Sequence, residues 1–147
     1  MRKFHYFVFL IFIFLSSAYS CSPAPAQTFD TSFEDYNDLA AIEQAFRNRE
    51  TKLFVASTGI VEWILDDDLK RPRHQRFIIR LANDQTLLVL YNIDLAPRIK
   101  DLQPGERIMF RGEYLWNEKG GALHWTHRDP ANRIIGGWIE HRGEIYR

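Results

Sequence analysis

Two histidines three residues apart, His124 and His127, followed by Asp129, are the side chains in this sequence best suited to hold a metal. Imidazole nitrogens bind zinc or copper, and a carboxylate is an acceptable third ligand for zinc. Their spacing sets a condition. Residues three apart on a regular strand point to opposite faces, so the two imidazoles converge only if the strand ends or bulges near Thr126. The pair Asp129-Pro130 permits such a break. Without it, one histidine is exposed and the other hydrogen-bonds the Arg128-Asp129 turn.

A second group consists of Asn92, Asp94, Glu113 and Asn117, with Trp125 as an aromatic platform. Such residues line ligand sites when a small barrel brings the end of its third strand near the turn between its fourth and fifth. Trp125 would stack on a base or sugar ring, whereas Trp116 continues an apolar face and is expected in the core. The same Asn92 and Asp94 could instead cap the connector after strand three. His74 stands with Lys70, Arg71, Arg73, Arg76 and Arg98, a local cationic patch suited to phosphate, sulfate or carboxylate. Asp66-Asp67-Asp68 beside it could pair with that patch, and surface pairs contribute only ~0–1 kcal/mol. No Gly-rich phosphate loop, Ser/His/Asp arrangement or reactive cysteine is evident.

The elements that must position these groups follow from periodicity. Residues 33–49 read as a helix, with Tyr36, Leu39, Ile42 and Phe46 on one stripe and Ser32 or Asn37 as its cap. Its expected job is to cover an open part of the sheet. Strands follow over 53–65, with a bend at Gly59, and over 76–81 and 86–93, the last apolar on both faces as if covered on both sides. Residues 66–74 read as an exposed loop and 94–100 as a compact connector making one helical turn. In the strand over 107–116, Ile108, Phe110, Gly112, Tyr114 and Trp116 share the buried face. A fifth strand covers 122–126, and a last hairpin 138–146 turns at Arg142-Gly143. The fold expected is mainly β: a small five-stranded barrel like the oligonucleotide/oligosaccharide-binding (OB) fold, with one N-terminal helix and a C-terminal hairpin.

The start of the chain carries an address. Arg2 and Lys3 precede an unbroken apolar run of ten, residues 6–15, and a small-residue exit, Ala18-Tyr19-Ser20. A membrane-spanning helix needs roughly 20 apolar residues, so this reads as an export signal over 1–20. Residues 21–32 form a Pro-rich linker, and 33–147 a single domain. The only cysteine, Cys21, sits where a bacterial lipoprotein carries its acyl chains, although Ala18 replaces the usual leucine. Lipid anchoring and free secretion both remain open. Removal of Arg2 and Lys3 from 19 basic side chains leaves 17 against 19 acidic ones. That balance argues against general nucleic-acid coating, which depends on neutralising phosphates.

From His74 onward the sequence resembles a small family of exported bacterial domains of unknown function. The matching pieces are His74-Gln75-Arg76-Phe77-Ile78, Asn92-Ile93-Asp94-Leu95-Ala96-Pro97-Arg98, Gly112-Glu113-Tyr114, Trp116-Asn117, Gly120-Gly121, His124-Trp125-Thr126-His127, Asp129-Pro130 and Gly137-Trp138. Tyr91 and Ile134 stand where that pattern has histidines, so a metal site needing those imidazoles would be incomplete. A slighter likeness is to thermonuclease-like barrels, through Gly59-Ile60-Val61 with Asp66-Asp67-Asp68, and Ile93-Asp94-Leu95-Ala96-Pro97. It implies calcium held by Asp68 and Asp94. Arg98 replaces the glutamate that would activate water, and Val89 stands where the transition-state arginine would come.

The leading expectation is an exported cell-envelope domain that binds a small-molecule or oligomeric polar ligand, in preference to an enzyme. Its site would join the loop from Asp66, the end of strand three and the Asn117–Gly121 turn on one rim, using His74, Asn92, Asp94, Arg98, Glu113, Asn117 and Trp125. The alternatives are a metal-dependent phosphodiesterase of thermonuclease type, a metal-binding protein using His124, His127 and Asp129 with zinc or calcium as the candidate ions, and a structural envelope protein. Membrane contact is expected only through the leader or a lipid on Cys21.

Overall fold

The computed structural model of the protein describes residues 36–147. The leader, Cys21, the linker, Ser32 and the first residues of the expected helix lie outside them. The described chain is mainly β, with seven strands in one sheet and a single short helix. Helix α1 spans Leu39–Asn48, and the strands are β1 (Leu53–Asp68), β2 (His74–Arg80), β3 (Thr86–Asn92), β4 (Arg107–Leu115), β5 (Ala122–His124), β6 (Trp138–His141) and β7 (Glu144–Tyr146).

The sheet order is β1-β2-β3-β5-β4-β6-β7, with a further pairing between β1 and β4. Strand β1 thus serves two partners. Residues Leu53 to Ile60 run antiparallel to β4, and Ile60 to Asp68 run antiparallel to β2. The handover falls at the glycine read as a bend. A Cβ on Gly59 would meet the Ile79 side chain at 3.1 Å and Arg80 O at 3.3 Å, so the strand turns where the surroundings leave little room for a side chain. A register shift follows between Val61 and Trp63.

Alternation places one face of every strand in a common core. Val55, Val61, Phe77, Ile79, Leu87, Val89, Ile108, Phe110, Tyr114, Leu123 and Ile139 are buried there. Fully burying a large apolar side chain of this kind contributes about 1.5–3 kcal/mol, so this shared face is the main source of stability. The predicted buried set on β4 holds at Ile108, Phe110, Gly112 and Tyr114, and Trp116 packs against its edge. Strand β3 departs from expectation. Leu87, Val89 and Tyr91 are buried, but Leu88 and Leu90 are only half-buried, so its second apolar row faces outward.

Other boundaries also move. The residues Asp66 to Asp68, read as loop, continue β1, because the β1–β2 pairing runs on to Asp68 opposite His74. The helix begins at Leu39. Its leading Asp38 forms no side-chain cap; instead its carboxylate accepts from Ala56 N at 2.7 Å, tying the helix start to β1. Ile42 and Ala45 enter the core, and Tyr36 packs edge-on against Trp138, with ring centroids 5.3 Å apart. The connector after β3 contains turns but no helix. Buried Gln75 holds it by donating to Ile99 O and accepting from Ile99 N at 3.0 Å, so Ala96, Ile99 and Leu102 can sink into the core.

Candidate functional site

The polar candidates gather where β2 begins and β3 and β5 end. His74 pairs with Asn92 across β2 and β3. Strand β5 runs parallel to β3 with Val89 beside Leu123, and His124 pairs with Glu113 of β4. Gln75 and Leu123 point into the core, so by alternation His74 and His124 both stand on the outer face. Their Nε2 atoms are 3.4 Å apart, with ring centroids 5.4 Å apart and planes at 49°. Burial, then the His74 and His127 imidazoles, hold His124 below the usual histidine range, so at neutral pH it is an uncharged ligand or proton acceptor.

The strand breaks immediately afterwards. Trp125 adopts a left-handed backbone, φ 52°, and the expected fifth strand stops at His124 rather than Thr126. His127 is then only 4% exposed and stacks on Trp125 at 5.5 Å. Its Nδ1 lies 2.8 Å from Arg128 O; only an N–H can satisfy a carbonyl, so Nδ1 donates. This is the turn-bonding role that the spacing allowed. Trp125 Nε1 and Thr126 Oγ1 are buried without a hydrogen-bond partner among the described residues.

The trio of His124, His127 and Asp129 does not assemble. Asp129 is 1% exposed, and its carboxylate accepts from Ala131 N, Arg133 N and Ile134 N at 3.1, 2.8 and 3.3 Å. The Ala131 N–H, followed by those of Arg133 and Ile134, holds it below the usual carboxylate range. It organises its own loop. Among the described residues no group of three or more His, Cys, Asp or Glu is arranged to hold a metal ion. The calcium pair implied by the thermonuclease likeness is likewise otherwise engaged. Asp94 accepts from Arg73 N at 2.8 Å and from Arg73 Nε at 2.7 Å, and both bonds lower its pKa. Asp68 accepts from Lys70 N at 3.0 Å.

Part of the cationic patch is engaged in the same manner. Arg73 is paired with Asp94, Arg98 with Asp67, and Arg76 Nε donates to Asp66 O. Asn92 Oδ1 accepts from Asp94 N at 2.9 Å, the capping role. The shared rim expected for Asp66, Asp94 and Asn117 is therefore only partly formed. Asp66 lies level with the last residues of β3, between Leu65 opposite Arg76 and Asp68 opposite His74; Asp94 lies beyond that end, while the Asn117 turn meets the start of β3, where Gly121 O accepts from Leu88 N. Seven residues of β3 put about 20 Å between Asp94 and the Asn117 turn.

A groove occupies that near end. Leu65, Ile78 and Leu88 form its floor, and Asn117, Glu118 and Lys119 its wall, enclosing about 440 Å3. Asn117 Oδ1 accepts from Lys119 N at 2.8 Å and Gly121 N at 3.2 Å, shaping the wall. The turn needs its glycines. Gly120 and Gly121 have φ of +108° and +120°, and a Cβ on Gly121 would run into the Tyr114 ring. Trp63, opposite Ile78 in register, is 61% exposed beside the floor. Of these residues the sequence pointed to the Asn117–Gly121 turn that forms the wall, and not to the floor of Leu65, Ile78 and Leu88. The available signal was the apolar residues in the outward phase of otherwise alternating strands.

The long match to residues 26–147 decides the relationship. The chain belongs to the family described as Protein of unknown function (DUF3465). No curated protein matches it. Of the two positions where the chain departs from the expected pattern, Tyr91 faces the core, its hydroxyl donating to Pro97 O at 2.9 Å. Ile134 is exposed in the loop that Asp129 organises. Neither departure touches the pairing of His74 with His124. In this member of DUF3465 the outer face thus carries an apolar groove at one end and a histidine pair toward the other.

Proposed function

We propose that the protein is an exported binding domain of the cell envelope, built on a closed five-stranded barrel of OB type, and that it takes an oligomeric polar ligand along its outer face. The circuit of pairings, β1 to β2, β3, β5, β4 and back to β1, supports the barrel reading, since the OB fold is a five-stranded Greek-key barrel. Such barrels bind ligands over strands two and three, between the loops that follow strands one and four. The groove over Leu65, Ile78 and Leu88 against the Asn117 turn has that placement, and it is the observation that carries the proposal.

An apolar floor with a flanking Trp63 and a polar wall suits flat rings bearing hydroxyl or carboxylate groups. The near balance of charge favours a glycan over a long nucleic acid, whose affinity rests on phosphate neutralisation. Titration of the full chain with soluble oligosaccharides and short single-stranded DNA, followed by tryptophan fluorescence and calorimetry, tests this. Oligosaccharide binding is expected, with Leu88→Asp abolishing it and Trp63→Ala weakening it about tenfold, as loss of one stacking platform does. Absence of binding to both classes, or binding indifferent to Leu88→Asp in a folded variant, overturns the proposal. Tight binding to DNA alone replaces the glycan with an oligonucleotide.

A further inference from the structure

We infer that His74 and His124 chelate a single divalent transition-metal ion of zinc type through their Nε2 atoms. This inference is independent of the groove. The separation of 3.4 Å between the two nitrogens lies toward the long limit of a hydrogen bond. It does match a chelate. With zinc–nitrogen bonds of about 2.0–2.1 Å and tetrahedral angles, two ligating nitrogens lie about 3.3–3.4 Å apart. The same geometry places the ring centroids about 5.2 Å apart, against 5.4 Å here. Two nitrogens facing each other head-on at this spacing would push the centroids farther out.

The frame is already in place. His74 is set by its pairing with Asn92 on β3, and His124 by its pairing with Glu113 on β4. The two rings are therefore held by separate, register-fixed strands, which limits the ordering needed when an ion arrives. His74 is only 8% exposed, which shields that ligand from competing water. Two protein ligands leave two tetrahedral positions for water or a ligand anion. Imidazole ligands select zinc, copper or nickel over calcium or magnesium, in contrast to the oxygen-based site implied by the thermonuclease likeness.

The test uses the full chain without an affinity tag. Isothermal titration with zinc chloride should give one ion per chain, and the affinity should fall about tenfold or more in His74→Gln and in His124→Gln, as loss of half a chelate requires. His127→Gln should bind zinc as the parent does. X-ray absorption of the zinc-loaded parent needs no variant and should report two imidazole nitrogens at about 2.0–2.1 Å. No binding by one millimolar zinc, retention of affinity in both folded variants, or an absorption spectrum without two imidazoles overturns the inference. The Leu88→Asp variant should keep zinc binding while losing any groove ligand, so failure of one assignment is distinguishable from failure of the other.

Discussion

The Glu106 carboxylate lies 2.8 Å from Gln103 N, 2.8 Å from His141 Nε2 and 2.9 Å from Arg142 Nε. It therefore binds the turn before β4 to the hairpin of β6 and β7. The Gln103 N–H first, then His141 and Arg142, bring its pKa from 4.5 down to about 2. A depressed carboxylate stabilises the fold above its unfolded pKa, and the contribution disappears as pH falls through the folded value. Glu106→Gln should thus lower Tm at neutral pH and flatten its decline between pH 4.5 and about 2, as read by circular dichroism melts across that range. Parallel melting curves would refute this. The sequence drew attention to Asp94 and passed over Glu106, because Glu106 finds His141 only 35 residues later. In the same way, His74 and His124 are 50 residues apart, and nothing in the local pattern of either one names the other.

At the level of elements, local periodicity located most strands and the helix, and it failed where a long-range partner decides the outcome. The helical stripe was read back through Tyr36, but that ring is captured by Trp138, so the helix starts later. The triple aspartate looked like a solvated loop, yet pairing with β2 carries it as strand. The end of β5 at His124 depends on the backbone reversal at Trp125, for which tryptophan gives no signal. Trp116 was correctly assigned to packing, and its indole contributes a bond too. Nε1 donates to Phe46 O at 3.1 Å, satisfying a carbonyl in the last turn of α1. Trp116→Phe retains most of the packing and removes that donor. Unfolding in urea should show a loss of about 0.5–1.5 kcal/mol, with the oligosaccharide and zinc titrations unchanged.

For the molecule as a whole, export is the claim that governs where the outer face can meet its ligand. Mass spectrometry of the chain recovered from a bacterial host should find residues 1–20 removed. A diacylglyceryl mass on Cys21 would mark a membrane-anchored form, and an unmodified start a free one; retention of the leader would refute export. The two allegiances of β1 have a kinetic consequence as well. Its first half, Leu53 to Ile60, must wait for β4, whose residues 107–114 lie some fifty positions away, whereas its second half can zip onto β2 at once. Assembly that depends on such distant strands is slow, on the order of milliseconds to seconds. During that interval the early hairpin has an unsatisfied edge, and the newborn chain is most open to sticking to its own kind before the last seam shuts.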